Sequence, residues 1–438
     1  KPAGHSELWE APESMMSDHP IRDRPRSLGT VLLAGLLLAT GCSGDGQGGT
    51  DSDGLEVVNI GFVGPLSGGA AYYGRNVQRG ITMAADEIAE AGGFEVDGRR
   101  FRFEIVSLDD RYLPYETATA VRRLLQQNQT PVILVPHAGG IRVVQEMNTR
   151  EPKFLLAAYS SEPSILEAEN PLMLMLPPRF DGYQEPWVEV MMGRFGTRLA
   201  LVPTTTAYGR AWTEAVSAEW TRQGGTLGRD HGVDYNTTTD FTGAVSRALA
   251  DEPDVLFIGG PSQPTALVIR AAREQGFEGG LLIMDQAKFM EMLDIVPIES
   301  LEGAIGVYPV ETYPTPGAPL FAARYYERFG ADSPSPTSEI AINYQALYLI
   351  ARAMTLAGTT TDPEAIRARA DEAARTLPQE GRVYEVAGVT DVGLITRDVF
   401  TAHIVDGEFV SIRIPVPGGA GFRSISAAPS LTRISCGR

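Results

Sequence analysis

From residue 56 onward the chain alternates short apolar runs with segments whose apolar residues recur at helical spacing, and this alternation constrains the fold more than any other feature. VVNIGFV (57–63), PVILV (131–135) and DVLFIGG (254–260) are dominated by Val, Ile and Leu and do not alternate apolar with polar. Strands of that kind are covered on both faces, as in a parallel sheet wrapped by helices. Between them, Val77, Ile81, Ala84, Ala85 and Ile88 mark one helix face, and ATAVRRLLQQ (118–127) reads as another helix. Strand–helix–strand order predicts an α/β fold built on parallel sheets.

The alternation occurs in two series. FRFEIVS (101–107) and KFLLAA (153–158) complete the first. TRLALV (197–202), a helix over Arg210–Gln223, TALVIRAAREQG (265–276) and GLLIM (280–284) belong to the second. Two series predict two lobes, and 438 residues with 43% hydrophobic content suffice to fill both cores. SEIAINYQALYLIARAMTLAG (338–358) predicts a long apolar helix. DPEAIRARADEAARTL (362–377) predicts one capped by Asp362 with Pro363 in its first turn. VFTAHIV and EFVSIRI, joined by Asp406-Gly407, predict a β-hairpin.

Chemistry-bearing motifs are scarce. The sequence has no Walker loop, HExxH, nucleophile elbow or CxxC, and none of its five histidines stands at metal-ligand spacing. No catalytic residue, metal or cofactor is assigned, and no enzymatic activity is expected. Gly44-x-Gly46-x-x-Gly49 matches a dinucleotide-loop pattern without the strand and helix such a loop needs, and is set aside. Asp109-Asp110 follows directly on a strand and reads as a solvated strand end or helix cap. The net charge of −18 repels phosphate backbones and argues against a nucleic-acid partner.

Near the start, Leu28–Gly41 follows Arg22, Arg24 and Arg26 and is too short to span a bilayer, the pattern of an export signal. Leu38-Ala39-Thr40-Gly41-Cys42 resembles a bacterial lipobox, with Ala39 where leucine is usual. That resemblance implies cleavage before Cys42, acylation of its thiol and attachment to a membrane. Residues 42–55, rich in Gly, Ser and Asp, then read as a flexible tether.

IGFVGPLSGGAAYYGRNVQRGITMAADEIAEAGGFEVDGRRFRFEIVSLDD (60–110) resembles the start of a type I periplasmic binding protein of the leucine/isoleucine/valine-binding branch. TAYGRAW, DFTGAVSRAL, PDVLFIGG and YQALYLIARAMTLAGTTTDPEAIRAR continue that branch's pattern in order, over residues 56–415. The resemblance implies two doubly wound parallel-sheet lobes joined by three crossover strands, near Leu176–Phe180, Val307–Thr312 and Val383–Gly393. Lobe 1 is expected over 56–178 and 310–385, and lobe 2 over 179–309 and 386–415. Residues 1–41 form the upstream segment and signal peptide, and 416–438 a disordered tail.

It also implies an extracytoplasmic protein that captures a small solute, an amino acid of branched-chain type or a relative, and delivers it to the permease subunits of an ABC importer. The alternative is a sensor subunit for a membrane receptor, with an amide or aromatic acid as ligand. Carried over by position, the resemblance assigns Tyr73 and Tyr208 to close over the ligand, and Ser160 and Ser161 to grip it. The loop His137-Ala138-Gly139-Gly140 would offer backbone amides where the branch has a serine. Ser262 is a further contact, and Asp285, or Gln286, the partner of an ammonium. The branch's disulfide positions carry Tyr112 and His137, so that bridge is absent. If Cys42 anchors the protein, Cys42→Ser should move it from the membrane fraction to the soluble fraction. A variant that still sediments with membranes would exclude the anchor.

Overall fold

The computed structural model describes residues 54–150 and 153–415, and the backbone of 432–433. Cys42, the signal segment, most of the tether and most of the expected C-terminal tail lie outside the described residues.

The first series forms β1 (Glu56–Gly64), α1 (Ala71–Glu90), β2 (Phe94–Val96), β3 (Arg99–Asp109), α2 (Pro114–Arg123), β4 (Val132–Val135), α3 (Ala138–Arg150), β5 (Leu155–Ala158) and β6 (Met173–Met175). Its six-stranded sheet has the order β2-β3-β1-β4-β5-β6, parallel except for the edge strand β2. All four residues of β4 are buried, as an apolar run without alternation requires.

The second series follows as α4 (Asp181–Phe195), β7 (Arg198–Pro203), α5 (Ala207–Arg222), β8 (Thr226–Asp230), α6 (Thr242–Leu249), β9 (Val255–Gly259), α7 (Ser262–Glu274), β10 (Gly280–Ile283), α8 (Phe289–Leu293) and β11 (Ala304–Val307). The chain then returns to the first lobe with α9 (Gly317–Phe329), α10 (Ser338–Ala357), α11 (Pro363–Ala368) and α12 (Ala370–Arg375). β12 (Gly388–Val389), β13 (Ile395–Thr396), β14 (Val399–Val405) and β15 (Glu408–Ile414) close the described run, with β16 (Thr432–Arg433) apart. The second sheet has the order β16-β15-β14-β11-β10-β9-β7-β8. Its parallel part ends at β11, where β14 joins antiparallel. Asp406 and Gly407, at φ 54° and 73°, make the left-handed turn of the β14–β15 hairpin.

The structure corrects the sequence reading in four places. The helix expected over 362–377 breaks at Arg369 into α11 and α12, although Asp362 caps it, accepting the amides of Glu364 and Ala365. Residues 386–396, assigned to the second lobe, stay on the first. Asp371 accepts the Val389 amide at 2.8 Å, Arg367 holds the carbonyls of Met173, Thr390 and Asp391, and Leu394 bridges to Met175. The third crossover therefore lies between β13 and β14, past Val383–Gly393. Within the expected tail, Thr432 and Arg433 pair with Ser411 and Val410, completing the open edge of β15. Finally, Asp110 is fully buried, accepting from Thr117 Oγ1 at 2.7 Å and the Tyr112 amide at 2.9 Å. Only Asp109 sits at an exposed strand end, accepting the Leu66 amide at 2.8 Å.

Helix α10 is buried along most of its length because it lies between α1 and the returning helices. Gly80 allows that contact: a Cβ there would sit 2.3 Å from the Ile340 carbonyl oxygen. Gly80→Ala must push α10 away from α1 and should cost about 1–3 kcal/mol, the range for overpacking a core. The measurement is a fall in the denaturant midpoint at unchanged slope. An unchanged midpoint would mean that the helices are not in close contact.

Candidate ligand-binding cleft

In a parallel sheet the loops that bind ligands follow the carboxyl ends of strands, on either side of the point where strand order reverses. In lobe 1 the reversal lies between β1 and β4, and in lobe 2 between β7 and β9. The loops after β1, β4 and β5 meet those after β7 and β10 around a cavity of about 340 Å³, its mouth included. Tyr73, His137, Ala138, Ser160, Ser161, Tyr208, Asp285 and Gln286 all line it, beside Tyr112, Tyr159, Lys288 and Glu339.

Asp285 is the centre of the polar wall. Its carboxylate accepts from Ser161 Oγ at 2.6 Å and from the Tyr208 hydroxyl. Tyr208 is aimed by Trp212, whose Nε1–H donates to its oxygen at 2.8 Å from one turn along α5. Burial pushes the Asp285 carboxyl above the ordinary range, while Lys288 and the two hydroxyls pull it back. Because Ser161 belongs to lobe 1 and Asp285 and Tyr208 to lobe 2, this cluster ties the lobes together.

Three further contacts cross the cleft. Lys288 Nζ lies 2.7 Å from Glu339 Oε1, both side chains being buried. This is an ion pair without an aligned hydrogen bond, so the Glu339 oxygens keep unfilled accepting capacity. Gln286 Nε2 donates to the Tyr112 hydroxyl at 3.3 Å. Asn76 Nδ2 donates to Glu291 Oε1 behind the cavity. The lining thus holds two carboxylates, Asp285 and Glu339, against the single ammonium of Lys288.

On the lobe 1 side His137 is a built-in cap. Its Nδ1 accepts the Gly140 amide at 3.0 Å, so the ring proton sits on Nε2, 2.7 Å from Asp110 Oδ2. The ring stacks on Tyr112 at 4.6 Å. The two positions that would carry a disulfide in the resembling branch are therefore joined by an aromatic stack.

Several assigned residues take other places. Tyr73 is part of the wall and not a lid, since its hydroxyl donates to the Pro136 carbonyl and its ring lies 6.2 Å from that of Tyr159. Gly139 and Gly140 do not line the cavity. The Gly140 amide is spent on His137, which leaves the first-turn amides of Ala138 and Gly139 without intrahelical acceptors. Ser262 is also off the lining; its hydroxyl accepts the Lys288 amide at 2.9 Å and so positions that lysine. The sequence reading missed Lys288 and Glu339. Lys288 stands three residues after Asp285, but Glu339 opens an apolar helix, where an acid ordinarily serves the helix dipole.

Two lobes whose strand-end loops converge on one polar cavity define a two-domain solute receptor of the α/β class. The comparisons agree. The model of the family described as periplasmic binding protein matches residues 57–398, and the chain belongs to that family. Its fold is the type I fold of the leucine/isoleucine/valine-binding branch. An amino acid binding protein of Pseudomonas aeruginosa is 23% identical over 290 residues, 65% of this chain and 70% of that protein. Among solved structures, a leucine binding protein of Thermotoga maritima matches with a TM-score of 0.68 at 23% identity, covering 82% of this chain and 99% of that one. A solute binding protein of an ABC transporter from Rhodopseudomonas palustris, in complex with 3,4-dihydroxybenzoic acid, matches with a TM-score of 0.67 at 16% identity, covering 82% and 96%. Among the described residues no helix is long and apolar enough to cross a membrane.

Glu291 gives the cleft a pH signature. Burial, then the neighbouring Glu339, raise its carboxyl from the ordinary 4.5 to about 7, with Ser262, Lys288 and Asn76 opposing. Between those values the folded protein binds the proton more tightly than the unfolded chain, so stability falls as pH rises from about 4.5 to 7. Glu291→Gln imitates the neutral acid and should reduce that fall. Unfolding free energies at both ends of the window, in wild type and variant, test it; equal pH dependence in the two would sink the assignment.

Proposed function

We propose that this protein is an extracytoplasmic solute-binding lipoprotein that captures an α-amino acid with an apolar side chain, of branched-chain type, and presents it to the permease of an ABC importer. The observation that carries the reading is Asp285, a buried carboxylate that accepts hydrogen bonds from the Ser161 and Tyr208 hydroxyls, in a lining with two carboxylates and one ammonium. An ammonium entering the closed cleft needs an anion there. Asp285 would exchange its bonds from Ser161 and Tyr208 for a charge-assisted bond, with Glu339 reinforcing the field. The released hydroxyl of Ser161, together with Ser160 and the free amide of Ala138, would receive the ligand carboxylate. Tyr73 and Tyr159, buried and in mutual contact, would face the apolar side chain. The amino-acid-binding relative in Pseudomonas and the leucine-binding fold neighbour support the class.

Lys288 on the wall favours a second reading, a simple acid such as the one bound by the Rhodopseudomonas neighbour. One calorimetric experiment separates the two, titrating leucine and its deaminated analogue 4-methylpentanoate into wild type and Asp285→Asn. The amino-acid reading expects leucine to lose about 2–5 kcal/mol in the variant. The analogue, which would otherwise meet the Asp285 charge, should bind the variant at least as well. Equal binding of both compounds, unaffected by the substitution, would overturn it.

A further inference from the structure

Beside the cleft cavity lies a second chamber of about 450 Å³, its mouth included. It shares the walls Tyr159, Pro177, Asp285 and Lys288 with the first, so the two adjoin. All three crossovers contribute to it, through Pro177 and Pro178, Val307 and Tyr308, and Arg397 and Val399. The rest of its lining is mostly aromatic, with Tyr183, Tyr313, Tyr384 and Phe400 beside Ser338 and Ile342.

The chamber contains a cation without a counter-charge. Arg397 is only 7% exposed, its Nη2 has no hydrogen-bond partner, and no ion pair involves it among the described residues. Its guanidinium lies over the Tyr384 ring at 5.0 Å, which orients the group without neutralising it. The nearby anions are committed elsewhere. Asp398 pairs with Arg413 at 3.0 Å, and Asp285 faces Ser161 and Tyr208. Burial pushes the hydroxyls of Tyr183, Tyr313 and Tyr384 up, so they stay protonated and add no charge. A buried guanidinium left unpaired is costly, and a planar fork among aromatic rings matches a carboxylate on a flat or apolar body.

We infer that the hinge-side chamber is a second binding subsite, in which Arg397 receives a carboxylate carried on an apolar ring or chain. The carboxylate belongs either to the far end of a long ligand whose head lies in the cleft or to a separate small acid. The subsite does not depend on the amino-acid reading, because its charge and its walls are those of the hinge.

Benzoate is the probe. Titrated into the full chain, it should bind with a Kd on the order of 1 mM. Arg397→Met should weaken it by at least about tenfold, and Arg397→Lys, which keeps the charge and loses the fork, by less. Thermal melting without benzoate establishes that each variant is folded. If Arg397→Met does not fold, crystals of the wild type with 4-bromobenzoate decide the matter, since the bromine locates the ring directly. Bromine between Tyr183 and Tyr313 supports the subsite; bromine in the cleft beside Tyr73 and Tyr208 overturns it. Absence of benzoate binding, or equal binding by wild type and Arg397→Met, also overturns it. A repeat with leucine at saturation separates the two sources: benzoate that still binds is a separate acid, and benzoate that is excluded although Arg397→Met weakens it shares one continuous space that a single long ligand would span. Benzoate excluded with no effect of Arg397→Met lies in the cleft and overturns the subsite. Failure of leucine itself to bind counts against the amino-acid reading and leaves the benzoate result intact.

Discussion

In a parallel sheet every strand ends at the same edge, and the rest of this structure depends on that constraint. A chain that winds helices onto both faces must reverse its strand order once, and the loops on either side of the reversal splay apart. Lobe 1 opens in this way between β1 and β4, and lobe 2 between β7 and β9. Because the chain passes three times between the lobes, the two edges face each other. The lobe 1 part of the cleft lining, Tyr73, His137, Ala138 and Tyr159–Ser161, therefore follows strand ends, as do Tyr208 and Asp285–Lys288 of lobe 2. Glu339 is the exception among the charged groups; it comes from α10, which reaches the cleft by packing on α1.

Closing such a cleft removes charge from water, which is costly unless each charge finds a partner. Three of the contacts across the cleft read as local answers to that cost, and a fourth joins two neutral groups. Lys288 pairs with Glu339, Asp285 takes hydroxyl bonds, Glu291 takes an amide donor and holds its proton more tightly, and Gln286 meets Tyr112. These answers are unequal. An ion pair resists exchange, whereas hydroxyls bonded to a carboxylate are readily replaced by a full positive charge. The weakest partnership is thus the one a ligand would take over. The same Ser161–Tyr208–Asp285 cluster joins the lobes in this structure, so in the proposed amino-acid reading ligand and self-contact would compete for a single carboxylate.

Much of this was legible in the sequence, for reasons that differ by residue. The apolar runs of β4 and β9 admit little else than strands covered on both faces, and Asp406-Gly407 admits little else than a left-handed turn. Tyr208, Ser161 and Asp285 are assigned through the resemblance, and each lies in a segment that follows a strand readable from its apolar run. Lys288 and Glu339 could not, since their meaning lies in a pairing between residues 288 and 339 and neither flanking sequence encodes it. His137 is similar. Its role as a cap depends on Asp110 fixing the ring from another loop. The break at Arg369 was hidden because the apolar spacing of 362–377 continues through it, while Arg367 and Asp371 are engaged with β6 and the β12–β13 turn.

Those last contacts also determine the hinge. By holding residues 388–394 on the first lobe, Arg367 and Asp371 shorten the third crossover to the two residues between β13 and β14, Arg397 and Asp398. In extended chain, successive side chains point to opposite sides. Asp398 accordingly reaches the surface and pairs with Arg413, while Arg397 turns inward over Tyr384. A crossover this short cannot rotate without carrying Arg397 with it. A change in the angle between the lobes would therefore move the buried guanidinium, and in the proposed subsite an anion held there would act on the hinge. The inter-lobe contact at Asp285 and the buried guanidinium thus sit on either side of a crossover with only two residues available to bend.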